Sequence, residues 1–544
     1  MLSRVDWSGL SFPSPLKRDV SVILLGVAVL IPGVVGNYLL SDDFPLLETW
    51  GGSPLLQWFY KESAGYYRPL SALLFHMEWD LWQTTTTGYY VTGLLLHAVA
   101  TLLVYDIARR VLPEGLRTGL GAACLFLYQA GHAFTVLWVS AQTDLLASVF
   151  YLAAVALYLR SRTGQAVPLL LSLLAFVLSL LAKEMAVSLP LLILAWEAML
   201  SLQGRRFSAS RCARRALPYV SVLLVYMAAR YVAFGHLPTS PYHANLAPTH
   251  LVNTLARYTA TVFSPWGLEA LKPFFRSQPA FMLVLSGTAA ILGAVLAYRL
   301  RKRLQTWHLM CLAFCLITLL PVLRLFSPWT AYLPCAGAAM LISGVLRAIP
   351  EGTTRAHIGS AALASLILLN LLYTMSLQGQ WRHASSVCRS ILNELSAAAP
   401  QYPDGLNLAN LVVEVGEAPV FGSPWALNSA LRVRGIPIGV NPLASVRQET
   451  AATGLSVIVT GPRSFRLALT GKDDFFRLGI PEIISGRQEP TIGQTANRST
   501  ARITVTGLGR HRRASEVDVV LASDVEMDRT VVWRDGKLQP LKQD

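Results

Sequence analysis

The sequence predicts a polytopic α-helical membrane protein of about eleven transmembrane helices, followed by a C-terminal extracytoplasmic domain of mixed α/β or β-rich character. Three observations carry this. First, of 544 residues, 53% are hydrophobic and 14% charged, against roughly 25% charged in soluble domains, and the mean hydropathy is +0.45. Second, the apolar residues gather in runs close to the roughly 20 residues that cross a bilayer. Third, these runs stop near residue 375, and shorter β-branched segments take over.

The runs lie at 21–40, 90–107, 118–137, 145–159, 167–182, 185–200, 217–234, 280–297, 307–323, 331–346 and 358–375. Residues 1–19 are too long and too mixed for the charged region of a secretory signal, and no small-residue cleavage site follows. The first run is therefore expected to stay as an anchor. Every second loop is basic: Arg4, Lys17 and Arg18; Arg109, Arg110 and Arg117; Arg160 and Arg162; the arginines of 205–215; Arg299, Arg301, Lys302 and Arg303; Arg347 and Arg355. Because Lys and Arg concentrate on the cytoplasmic side, an odd number of spans places the N-terminus in the cytoplasm and the C-terminus outside. The formal charge of +15 is spread over these short clusters rather than one patch, so it reads as topology and not as nucleic-acid binding. The preference for Arg and Ala over Lys suggests a bacterial inner (plasma) membrane.

The first outer loop, about 41–89, is rich in Trp and Tyr, and its "SPLLQWFYKES" and "PLSALLFHMEWDLW" segments have the spacing of interfacial amphipathic helices. A second outer loop, 236–279, contains a third such segment, "HLVNTLARYTATVFSPWG". The boundary between the membrane domain, 1–376, and the outer domain, 377–544, is set where the apolar runs end. In the outer domain a helical stretch, "WRHASSVCRSILNELSAAAP", leads into strand-like segments such as "NLVVEV", "LSVIVTG", "SFRLALTG", "ARITVTG" and "EVDVVLAS". Asp535-Gly536 in "VVWRDGKLQ" is a hairpin-turn signal. The six cysteines imply no disulfide framework, and Cys311 and Cys315, with no His or carboxylate at matching positions, read as helix packing rather than metal ligands.

Charges beside apolar segments are costly and invite a functional hypothesis. Topology places Asp42, Asp43, Arg68, Asp144, Lys183, Glu184 and Arg324 on the outer side, with His97 inside the second span. Adjacent carboxylates suit general-base work, because each opposes ionisation of the other; a solvated helix cap is the bland alternative. Lys183 and Glu184 interrupt two runs with almost no loop, where a phosphate headgroup would lie, or form an internal ion pair. Arg68 can clamp a phosphate through its planar fork or snorkel at the interface. Asp144 reads as a helix cap or a site acid, Arg324 as an anchor or a phosphate contact, and His97 as a helix-helix contact or a site group. Acids and bases from several segments converging on one face suit a lipid-linked phosphate ester, whose tail stays in the bilayer while its head meets the cations.

In order and spacing, "SDDF", "YYRPLSALLFHMEWDLW", "GYYVTGLLLHAVATLLVY", "GHAFTVLWVSAQTDLLASVFYLAAVALYLRSR" and "LLAKEMAVSLPLLILAWE" resemble the membrane half of the transmembrane-and-tetratricopeptide O-mannosyltransferases and their bacterial relatives. The likeness covers the first 200 residues or so well and extends more weakly to about residue 390. It implies a GT-C fold and an inverting glycosyltransferase that moves a sugar from a polyprenyl-phosphate donor to an extracytoplasmic hydroxyl acceptor, whether protein, lipid or glycan. It also implies that Asp42 or Asp43 is the catalytic base and that Arg68, Asp144, Lys183 and Glu184 line the donor pocket. No cofactor is firmly implied; a divalent metal would suit the chemistry, yet no ligand cluster demands one. The 34-residue helical repeats of the eukaryotic relatives are absent here. A transporter or lipid flippase is the alternative, but it calls for mid-membrane charges and repeated halves, and neither is evident. A non-catalytic scaffold would leave the aspartate pair unexplained.

Overall fold

The computed structural model describes residues 15–61, 66–162, 164–203, 208–236, 247–264, 305–347, 354–448, 454–471, 474–477, 490–497, 500–509, 512–523 and 525–541. Every predicted run coincides with helix for most of its length, the first leaving its helix after Val34, except 280–297, which falls outside the described residues. Six described helices are long and apolar enough to cross a membrane: Thr87–Val111, Val139–Ser161, Glu184–Leu202, Ala209–Phe234, Pro328–Arg347 and Ala356–Gln401. A bent pair makes a seventh if it is one span. The expected eleven are therefore not reached among the described residues: Ala166–Ala182 and Thr306–Val322 are apolar but short, and Pro15–Val34 opens on Lys17, Arg18 and Asp19. Leu25, Leu170, Val225 and Val232 are 65–84% exposed on these helices. Such an apolar surface is stable against lipid and would aggregate in water. The chain is an integral membrane protein.

The run at 118–137, expected as one span, is instead two helices, Arg117–Tyr128 and Ala130–Leu137, bent by 47°. Close packing accounts for the break. A side chain at Gly131 would put its Cβ 2.3 Å from the Thr261 carbonyl oxygen, so the backbones approach as only glycine permits. Asn370 Oδ1 accepts from the Ala130 N–H at 2.8 Å, and Gln129 Nε2 donates to the Val262 carbonyl at 2.6 Å. Side chains thus satisfy polar groups that an interrupted helix would leave bare in hydrocarbon.

The helix Thr354–Ala398 runs 45 residues without interruption through position 376, about 68 Å of rise. The stretch expected as a separate lead-in helix is its continuation, and Trp381, fully buried, packs edge-on against Phe134 at 4.7 Å. Beyond it, among the described residues, lie two sheets. The first has the order β11-β10-β1-β3-β6, with β2 paired to β1. Its centre, β1 (Leu406–Val415), runs parallel to β3 (Val440–Gln448) and β10 (Thr530–Arg534). Helix Pro424–Val433 provides the crossover between β1 and β3. β2 (Ala418–Pro419), β6 (Phe475–Arg477) and β11 (Lys537–Pro540) pair antiparallel at the flanks. Asp535 and Gly536, at φ 52° and 76°, close the β10–β11 hairpin, as the Asp-Gly pair predicts. The second sheet, β4-β5-β9-β8-β7, is antiparallel throughout. It comprises β4 (Leu455–Gly461), β5 (Ser464–Leu469), β7 (Thr495–Asn497), β8 (Ala501–Leu508) and β9 (Ala514–Leu521).

The helix ends separate two kinds of charge. At one end Asp106 gathers Arg109 Nε at 2.8 Å, Arg110 at 3.2 Å and Arg160 at 3.0 Å. Nearby, Asp19 accepts from Arg18 at 3.0 Å and from the Tyr105 hydroxyl at 2.9 Å. On the helix Gln142–Ser161, Arg160 lies at this end and Asp144 at the other, where it meets Lys183.

In the loop 41–89 the "PLSALLFHMEWDLW" segment forms the helix Pro69–Trp82, whereas the described residues of "SPLLQWFYKES" form a 3-10 turn, Leu55–Phe59. The third segment forms the helix Pro248–Phe263.

Candidate functional site

The centre of the site is the turn Val139–Ala141, which leads into the helix Gln142–Ser161. Asp43 is fully buried against it. Its Oδ1 accepts from the Ser140 N–H at 2.7 Å and from the Ser140 hydroxyl, and its Oδ2 accepts from the Leu40 N–H at 2.8 Å. Burial nevertheless pushes this carboxyl up to about 7, and the neighbouring Asp42 charge is the smallest contributor. Mutual repulsion of the pair, expected from adjacency, is thus outweighed by desolvation. The two side chains also diverge. Asp42 is exposed, and among the described residues its side-chain hydrogen bond is to the Ser41 hydroxyl at 3.4 Å. Protein mass still crowds it, which raises its carboxyl above the usual range, as for a group lining a cleft. Asp43 anchors the loop, and Asp42 faces solvent.

One helical turn beyond Ser140, Asp144 Oδ2 accepts from Lys183 Nζ at 2.6 Å. Arg68 Nε donates to Glu184 Oε2 at 2.9 Å, and its Nη2 donates to Glu184 Oε1. Lys183 and Glu184 therefore do not pair with each other. Each is crossed to a different element, and the four charges interact as one network. The Ser71 hydroxyl, donating to the Ala182 carbonyl at 2.9 Å, fastens the Arg68 helix to the end of the Lys183 helix.

The network is sealed unevenly: Asp144 and Lys183 expose 1% and 10% of their side chains, Arg68 13% and Glu184 36%. Its open edge is therefore the Arg68–Glu184 side. Arg68 stacks over Tyr66 at 4.1 Å, which orients its guanidinium. The Nη1 end takes no partner among the described residues. Arg324 is exposed, and its side chain likewise has no partner among them. It follows the short helix Leu320–Val322, which packs on Glu184–Ser188.

His97 does not join this group. It is fully buried, with Nδ1 on the Tyr332 hydroxyl at 2.6 Å, Nε2 on the Leu127 carbonyl at 3.0 Å, and its ring against His132 at 5.3 Å. Both ring nitrogens serve helix packing beside the broken span.

Sequence reasoning missed Glu78. It is 2% exposed on Pro69–Trp82, and among the described residues neither carboxylate oxygen makes a hydrogen bond of good geometry, with Thr92 and Gln142 the polar side chains that face it. Gln142, on the turn beside Asp43, donates its Nε2 to the Tyr89 carbonyl at 2.6 Å, and its Oε1 is left bare. Burial pushes Glu78 up to about 8. The signal was an acid placed i+3 from Phe75 and i+6 from Ala72, on the buried stripe of an amphipathic helix. Between the ordinary glutamate value and about 8 the folded protein holds a proton that the unfolded chain releases, so stability falls as pH rises through that window. Glu78→Gln is expected to flatten this slope, with a gain in melting temperature that grows up to about pH 8. Thermal unfolding in detergent across pH checks it.

No family model matches the chain. A protein O-mannosyl-transferase of Caenorhabditis elegans is 24% identical over 401 residues, which is 66% of this chain and 53% of that protein. Protein O-mannosyl-transferase Tmtc1 of Drosophila melanogaster is 34% identical over 155 residues, 28% of this chain and 17% of that protein. Protein O-mannosyl-transferase TMTC3 of Mus musculus is 31% identical over 144 residues, 26% and 14% respectively. A crystal structure of ArnT from Cupriavidus metallidurans in the apo state aligns with a TM-score of 0.45 at 13% identity, covering 82% of this chain and 97% of that one. The chain spans about half the length of the nematode relative and under a fifth of the other two. Over about two thirds of its own length, the chain is similar in sequence to the protein O-mannosyl-transferases.

Proposed function

We propose that the chain is an inverting glycosyltransferase of GT-C type that moves a sugar from a polyprenyl-phosphate donor to a hydroxyl acceptor. The observation that carries this is one turn, Val139–Asp144, shared by two groups. It anchors the loop that presents the solvent-facing Asp42, and it joins the Lys183–Asp144–Arg68–Glu184 network. An acid open to an acceptor therefore stands beside cations suited to a phosphate. The names of the sequence relatives make mannose the first sugar to test.

In the proposed reaction Asp42 takes the proton of the acceptor hydroxyl as its oxygen attacks the anomeric carbon. The bond from that carbon to the phosphate oxygen breaks, and the phosphate leaves with the electron pair. In this reading the Nη1 end of Arg68, the third Lys183 proton and Arg324 meet the charge that develops there. Among the described residues no group of three His, Cys, Asp or Glu side chains could hold a metal ion. The basic clusters at the opposite helix ends support an extracytoplasmic site, with the β-rich part beyond about residue 377 on the acceptor side.

The test is transfer in proteoliposomes holding the purified chain and a radiolabelled polyprenyl-phosphate mannose, with acceptors added outside. Release of polyprenyl phosphate with stoichiometric labelling of an acceptor is the expected result. Loss of the donor from one leaflet without bond cleavage would instead mark a lipid transporter.

A further inference from the structure

Asp42 is preceded by a residue in an unusual conformation. Ser41 has φ 51°, in the left-handed region that few residues other than glycine adopt. Strain of this kind persists only where surroundings enforce it, and here the enforcing groups come from the segment after β2, bonded to β1 and some 380 residues away in sequence. The Ser41 N–H donates to the Val420 carbonyl at 2.8 Å, and the Gly422 N–H donates to Ser41 Oγ at 3.1 Å. Phe44 stacks on Phe421 with ring centroids 6.4 Å apart.

The clamping segment is itself rigid. Val420 and Phe421 are fully buried, and the Val420 N–H donates to the Val413 carbonyl of β1 at 2.9 Å. Two further ties flank it: Arg434 Nη1 donates to the Tyr38 hydroxyl at 2.7 Å, and Arg432 Nη2 donates to Glu48 at 3.0 Å.

The direction of these bonds matters. Because Ser41 Oγ accepts from Gly422, its own hydrogen is free to point at Asp42 Oδ1, 3.4 Å away. A chain of donors therefore runs from the segment after β2 to the exposed carboxylate, each bond reinforcing the next. We propose that Gly422 and Ser41 are positioning residues that aim Asp42, so that the C-terminal β-rich part completes the transfer site rather than merely following it. The inference rests on Asp42 being the base.

The test uses the full chain and the transfer assay. A Cβ on residue 422 would lie 2.7 Å from Ser41 Oγ but 3.9 Å from Ser41 Cβ. Gly422→Ala therefore displaces the hydroxyl and would leave a Cβ at position 41 undisturbed. Gly422→Ala is expected to lower kcat at least about 10-fold with donor KM unchanged. Its acid limb moves to higher pH, because a carboxylate that loses a donor is a group harder to ionise. Ser41→Ala should shift that limb the same way, and the Ser41→Ala/Gly422→Ala double variant should match Ser41→Ala alone, a non-additivity that marks one shared contact. Hydrogen exchange at the Ser41 amide supplies a readout without activity: faster exchange is expected in Gly422→Ala. Wild-type kcat and pH profile in Gly422→Ala, or additive effects in the double variant, would overturn the proposal. If Asp42→Asn transfers sugar normally, the base assignment fails instead, whatever Gly422→Ala does.

Discussion

Asp42→Asn is expected to lower sugar transfer by about 10²–10⁴-fold, the usual worth of a positioned base, while the melting temperature stays within about 1 °C of wild type. The separation follows from the contacts. Asp42 is exposed and touches one hydroxyl at 3.4 Å, so an isosteric amide disturbs little of the fold. Asp43→Asn should behave in the opposite order. All three groups around that carboxylate are donors, and an amide would turn its NH2 toward one of them. Leaving buried polar groups unmatched costs about 1–3 kcal/mol each, so Asp43→Asn lowers stability and loses transfer only as far as the loop loosens. Thermal unfolding and initial rates on the same preparations check both. Equal losses of transfer and of stability in the two variants would remove the distinction between base and anchor.

How far the sequence led can be seen at this same pair. That two aspartates follow the first run and open a loop was legible, because hydropathy is a property of the chain read in order. Which of them points inward was not. That depends on Ser140, 97 residues on, offering two donors to Asp43. The strands β1, β4, β5, β8 and β9 were legible from their β-branched content and the β10–β11 hairpin from Asp535-Gly536, whereas β3, whose "VNPLASVRQ" carries a proline and few β-branched residues, was not. Sheet order was not, because β1 lies between β3 and β10, a strand over 100 residues later.

Lys183 and Glu184 repeat the lesson. Their adjacency suggested a pair, yet successive residues at a helix end project in different directions, so each found a partner on another element. The bend in the expected span at 118–137 was illegible for a related reason: the apolar run continues through Gln129, and the close approach of Thr261 to Gly131 comes from a segment about 130 residues away.

The second large effect is expected at the buried pair. Lys183→Met leaves Asp144, 1% exposed, as an uncompensated charge whose Oδ1 already lacks a partner. Breaking a buried pair on one side costs about 3–5 kcal/mol, so the single variant should unfold well below the wild-type temperature. Replacing both partners by apolar residues of similar volume removes that penalty, and the Asp144→Leu/Lys183→Met protein should regain wild-type stability to within about 1 kcal/mol. Its transfer rate should nonetheless stay about 10²–10³-fold down, since one of the cations proposed to meet the leaving phosphate is gone. Stability and catalysis then part company in a single protein, which a structural ion pair cannot explain. Should the double variant transfer sugar at the wild-type rate, Lys183 holds two helices together and nothing more, and the phosphate would have to be met by Arg68 and Arg324 alone.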